Sequence, residues 1–96
     1  MDNTCYFYKR ENGYSVTVAY RRLNRDWISY GAAFCHSKDQ FKKSRGRAIA
    51  EGRMNLFAKS GQALSVLSAE CRADVHSLIL RDIRDSCAYA PNGFGY

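Results

Sequence analysis

Ninety-six residues with 46% hydrophobic content and a single proline are enough for one packed domain, which excludes a second domain and a disordered chain. No apolar run approaches the roughly 18–20 residues of a membrane span. The opening MDNTCYFYKR lacks the basic-then-apolar order of a signal peptide, so the expected location is the cytoplasm. The net charge of +6 is concentrated: positions 9–59 hold twelve basic and four acidic residues, positions 60–96 three and four. That asymmetry points to an anionic partner for the first half, whether nucleic acid, an acidic protein or a phosphorylated small molecule. A chain this short also gains from pairing, so a homo-oligomer is an open expectation.

The chain begins with aromatic, strand-forming residues at 4–8 (TCYFY), followed by Asn12-Gly13, a tight-turn pair in which both residues tolerate positive φ. Residues 14–22 alternate. Tyr14, Val16, Val18 and Tyr20 face one side; Ser15, Thr17, Ala19 and Arg21 face the other. After a polar turn at Asn24-Arg25-Asp26, residues 27–35 form a third strand. Its apolar face carries Ile28, Tyr30, Ala32 and Phe34, and its second face Ser29, Gly31, Ala33 and Cys35. The sheet therefore has a large apolar face, expected to receive the helices. The small-residue face is either solvated or, with Gly31 permitting close approach, pressed by a partner.

Ser37 and Gln40 have the spacing of a capping box, which predicts a helix from 37 to 59. At 100° per residue its core stripe reads Phe41, Ala48, Ile49, Gly52 and Leu56, with Arg45 near the middle. Arg45 is then either a snorkelling stem or an arginine fixed by packing and aimed at a phosphate or carboxylate. Lys42, Lys43, Arg47 and Arg53 flank the stripe and face mostly solvent. Gly52 would let the helix lie close on the sheet, and Gly46 admits close approach by a ligand. Ser60-Gly61 ends the helix. Residues 62–88 read as a helical cover with Leu64, Leu67, Cys71, Val75 and Leu78 on one face, widened by Ile79, Leu80 and Ile83, with a break near Ser65–Ser68. The tail, 89–96, either folds back or inserts into a neighbour. The expected class is α+β: a three-stranded antiparallel meander over 4–35, one long basic helix, then one or two covering helices.

No chemistry of a catalytic kind is visible. The cysteines at 5, 35, 71 and 87 form no CxxC pair, and neither His36 nor His76 has zinc-ligand spacing to a cysteine. Reduced core cysteines and surface histidines are expected, with no metal, no cofactor and no catalytic residue. The basic residues carry the signal. Lys38, Lys42, Lys43, Arg45 and Arg47 form a first candidate group for anion contact, Arg21, Arg22 and Arg25 a second. Tyr6, Tyr8, Trp27 and Tyr30 are candidate stacking platforms.

Two resemblances follow from these residues. Three strands and a helix opening on Lys38, Lys42 and Lys43 resemble, over about residues 14–58, the second half of a double-stranded RNA-binding domain. In that family such lysines grip phosphates. The run from Tyr14 to Met54, with YGAAFCHSKDQFKKSRGRAIAEGRM at its centre, is similar in style to small accessory proteins of tailed bacteriophages. That likeness implies a non-enzymatic inhibitor of a host defence system or host enzyme, working in the host cytoplasm through its basic surface on an acidic protein. Two alternatives stay open: a nucleic-acid-binding protein in its own right, and an oligomeric sponge for a nucleotide signal.

Overall fold

Alternation in the first 36 residues sets the architecture. The structure, a computed structural model, describes residues 3–87, 90 and 91. In chain order it contains β1 (Cys5–Glu11), β2 (Tyr14–Arg22), β3 (Trp27–His36), α1 (Lys43–Lys59), β4 (Leu64–Ser65) and α2 (Arg72–Ser86). The strands form one antiparallel sheet in the order β1-β2-β3-β4, so the class is α+β as expected. Asn12 and Gly13 both take positive φ, 51° and 81°. This is the left-handed pair that joins twisted antiparallel strands most tightly.

Cross-strand pairing aligns the two faces as the alternation predicts: Val18 lies opposite Ala32, and Ala19 opposite Gly31. The placement of the helices is different. Only α2 lies on the large face, where Val75, Ile79 and Ile83 share a core with Val16, Val18, Tyr20, Ile28 and Tyr30. The small face is neither solvated nor left for a partner; α1 covers it, with Ala50 and Met54 against Ala19 and Ala33. The absence of side-chain bulk makes this possible. A Cβ added to Gly31 would lie 2.2 Å from the Ala50 carbonyl oxygen and 2.3 Å from the Met54 nitrogen. The sheet is thus buried on both sides, by one helix held off on large side chains and one in contact with its backbone.

This contact also corrects the reading of α1. The helix starts at Lys43 rather than 37. Ser37 donates its N–H to Gly13 O at 2.8 Å, and His36 Nδ1 accepts the Lys38 N–H at 3.1 Å. Residues 37–42 are therefore a turn that carries the chain from β3 onto the small face. The buried side of α1 is Ala50 and Met54, bordered by Gly46, Arg53 and Phe57. Ala48, Gly52 and Leu56 are exposed, Ile49 largely so. A large side chain under the helix would lift it off Gly31, so small residues win the inner face and the bulkier apolar ones are turned outward. Gly46 packs on Thr17, whose Oγ1 would be 2.7 Å from an added Cβ; a Cβ at Gly52 would meet no described residue within 4 Å beyond its own stretch of helix.

The helical cover is shorter than 62–88. Leu64 and Ser65 pair with Ile28 and Trp27 as β4, and α2 begins only at Arg72. Leu67 and Cys71 are therefore exposed loop and cap positions, and Leu78 is half-buried. The inner stripe of α2 is Val75, Ile79, Leu80 and Ile83. All four cysteines are free, but none is fully buried: Cys71 is exposed, and Cys5, Cys35 and Cys87 are half-buried. The tail alternatives concern residues that, apart from Ala90 and Pro91, lie outside the described ones. Among the described residues no helix is long and apolar enough to cross a membrane.

Neither histidine is the surface residue expected. His36 packs edge-on against Tyr14, with centroids 5.1 Å apart. His76 stacks on Phe7 at 4.0 Å, and its Nε2 is 3.0 Å from Tyr20 Oη. Burial, and then the nearby Arg72 charge, hold the His76 pKa below its ordinary 6.5. The folded protein therefore binds fewer protons here than the unfolded chain. This contribution to stability is complete above about pH 6.5 and is lost as pH falls from that value through the lower folded pKa. Thermal melts should show a lower Tm at pH 5.5 than at pH 7.5, and His76→Gln should flatten that dependence.

Candidate anion-binding surface

Residues 6, 8 and 10 of β1 point to the same side as α1, because side chains alternate along a strand. β1 is an edge strand lying beside the helix rather than beneath it, so Tyr6 and Tyr8 stay 36% and 38% exposed. Residues 43, 47 and 51 are spaced one helical turn apart on the flank of α1 that faces them. Arg47 donates its Nε–H to Tyr8 Oη at 2.6 Å. Its guanidinium carbon lies 5.6 Å from the Tyr6 ring centroid and 5.9 Å from that of Tyr8. Lys43 Nζ is 5.0 Å from the Tyr8 ring, and Phe41 meets the same ring edge-on. The hydrogen bond to Tyr8 raises the already high pKa of Arg47.

The arrangement holds a cation in place without neutralising it. Phenol rings and a phenol oxygen supply no formal charge, and only one guanidinium N–H is used by Tyr8. The remaining fork of donors can meet a phosphate or carboxylate in bidentate fashion. Glu51 marks the far end of the strip, accepting the Tyr6 hydroxyl at 3.2 Å. Arg10 extends the other end.

The expected site residues divide between opposite ends of the sheet. Lys42, Lys43, Arg45 and Arg47 gather at the start of α1, with Lys38 exposed in the turn before it. Arg21, Arg22 and Arg25 sit at the end of β2 and in the following loop. The two ends of β2 are about 26 Å apart at the usual strand rise. Arg22 donates to Arg25 O at 3.0 Å, and Arg21 to Asn55 Oδ1 at 3.5 Å. Arg45 is not on the buried stripe; it is exposed and forms no side-chain hydrogen bond or ion pair among the described residues. An arginine held by its neighbours does exist, but a little further along the helix, at Arg47. Arg53, expected in solvent, is half-buried and donates to Ala32 O at 2.8 Å. Tyr30 is buried with its hydroxyl bonded to Asp82, which removes it as a platform. Trp27 is 41% exposed, but it lines a wide cleft of about 1260 Å³ at the far end, with Leu23 and Leu56. Arg10 already stands out in the sequence among the basic residues at the strand ends; Phe41, expected on the buried stripe of the helix, meets Tyr8 instead because residues 37–42 form a turn.

Among the described residues no group of three or more His, Cys, Asp or Glu side chains could hold a metal ion. The chain matches no protein-family model, no curated protein and no solved structure.

Proposed function

We propose that this protein is a non-catalytic binding protein that engages single-stranded nucleic acid through the flank formed by β1 and the start of α1. The observation that carries the reading is the Tyr6–Arg47–Tyr8–Lys43 strip, in which exposed aromatic rings alternate with fixed cations. Proteins that bind single strands combine these two elements: basic groups follow the backbone, and aromatic faces accept bases of any sequence. The local excess of basic residues over positions 9–59 adds long-range attraction for the same polyanion.

Fluorescence anisotropy with a labelled single strand, titrated at several salt concentrations, tests the proposal. With Arg10, Lys43 and Arg47 each meeting one phosphate, log K should fall against log salt with a slope near −2, from about −0.7 per phosphate. Affinity for a duplex of equal length should be weaker. The phage-type inhibitor implied by the sequence resemblance would turn this same face to an acidic host protein. Absence of oligonucleotide binding at low salt would refute the nucleic-acid reading and leave that one.

A further inference from the structure

We infer that a second, separate site for a phosphate group lies at the N-terminus of α1, on the flank away from Tyr8. A cavity of about 460 Å³ opens there, lined by Thr17, Asp39, Gln40, Lys42, Arg45 and Gly46 among others. The 17-residue helix that ends on it has no side-chain cap among the described residues and no acidic residue in its first turn. Its first backbone N–H groups therefore retain their donor capacity and the positive end of the helix dipole. Natural helices usually meet this need with Ser, Thr, Asp or Asn at the cap; here the cap position is Lys42, extended at φ −126° and ψ 115°.

The independent observation is Thr17. It is fully buried, and its Oγ1 has no hydrogen-bond partner among the described residues. The hydroxyl is turned toward Gly46, in the first turn of the helix and on the wall of the same cavity. A buried hydroxyl left unmade costs free energy that valine, of the same shape, would avoid. At this position the hydroxyl is also a donor set against the first turn of the helix. Arg45 and Lys42, both exposed, supply charge at the mouth. Asp39 is the one acid in the lining, so the site favours a ligand that brings at least two negative charges over a carboxylate. A phosphate group meets these donors as helix N-termini generally receive it. It can come from a nucleic-acid strand or from a free phosphorylated molecule.

Backbone amide NMR on the whole chain tests this, with inorganic phosphate, a mononucleotide and a short oligonucleotide as separate titrants. The amides of Lys43, Ser44 and Arg45, ahead of the first intrahelical bond from Gly46 N–H to Lys42 O, should shift with inorganic phosphate and saturate at about 1–10 mM. Arg45→Gln should raise that Kd about tenfold. Thr17→Val should raise it about fivefold while its Tm holds or rises, since an unpaired buried hydroxyl is removed. Saturation at lower concentration by the oligonucleotide identifies a strand phosphate as the ligand; saturation at lower concentration by the mononucleotide identifies a free one. First-turn amides that do not move with any titrant overturn the site, as does a Thr17→Val protein with unchanged affinity. An oligonucleotide that binds through Lys43 and Arg47 without shifting those amides would remove this site and leave the proposed function standing.

Discussion

Gly31→Ala should destabilise the protein by about 4 kcal/mol or more, beyond the usual 1–3 kcal/mol of an overpacked core. The added methyl group would lie 2.2 Å from Ala50 O, 2.3 Å from Met54 N and 2.8 Å from Arg53 C. All three atoms are backbone, so no rotamer change relieves the overlap; either the whole of α1 rises or β3 bends. Raising α1 would also open the contacts of Ala50 and Met54, both fully buried. A domain of this size has only about 5–15 kcal/mol in hand, so the variant should be partly unfolded or melt far below the wild type. Urea denaturation read by circular dichroism measures it directly. Gly52→Ala is the control, because beyond its own stretch of helix no described residue lies within 4 Å of the added carbon and alanine favours a helix by about 1 kcal/mol over glycine. Equal stability of the Gly31→Ala protein and wild type would show that α1 does not rest on the sheet in this way.

The second large effect concerns binding. Lys43→Glu with Arg47→Glu should weaken single-strand affinity about 100-fold at low salt, and reduce the magnitude of the salt slope by about 1.4, or 0.7 for each of two phosphates. Both residues are exposed on the helix flank. The carboxylates introduced at positions 43 and 47 would face each other one turn apart, and the second would also face Glu51. These two like-charge pairs cost about 0.5 kcal/mol each, offset in part by the favourable placing of acids at a helix N-terminus. Stability should therefore stay within about 1 kcal/mol of wild type, as for most surface changes, so a loss of affinity reports the surface rather than the fold. Arg22→Glu with Arg25→Glu changes the net charge equally at the other end of the sheet and should alter affinity less than about threefold. Equal losses from the two pairs would mean that overall charge, not the aromatic-framed strip, holds the strand.

These two effects rest on features that were unequally visible in the sequence. The strands, their turn at Asn12-Gly13 and the sorting of side chains to two faces follow from a two-residue period and local turn chemistry. Both are properties of neighbouring residues. The phase of α1 does not follow in the same way. Hydrophobicity turns Ile49 and Leu56 inward, whereas the observed contact selects Gly46, Ala50 and Met54 because the opposing surface is Thr17, Ala19, Gly31 and Ala33. That choice depends on partners far back along the chain. The capping-box spacing at Ser37 and Gln40 was likewise outweighed by a hydrogen bond from Ser37 to Gly13, across the sheet end. β4 is two residues long and leaves no periodic trace. At the candidate surface the charge was plain, but which arginine is framed by aromatics depended on the register between β1 and α1.

The fastening of α1 bears on how such a surface can change over time. Gly31, Gly46, Ala50 and Met54 hold the helix to the sheet, and none of them carries a charge. Arg53, through Ala32 O, and Arg47, through Tyr8, add to that hold, whereas Lys42, Lys43 and Arg45, exposed at the start of the helix, contribute little. Selection can therefore exchange, reverse or remove them one by one while the scaffold stays folded. A small protein built this way can follow a changing target by rewriting its surface, with the helix beneath serving as a fixed frame.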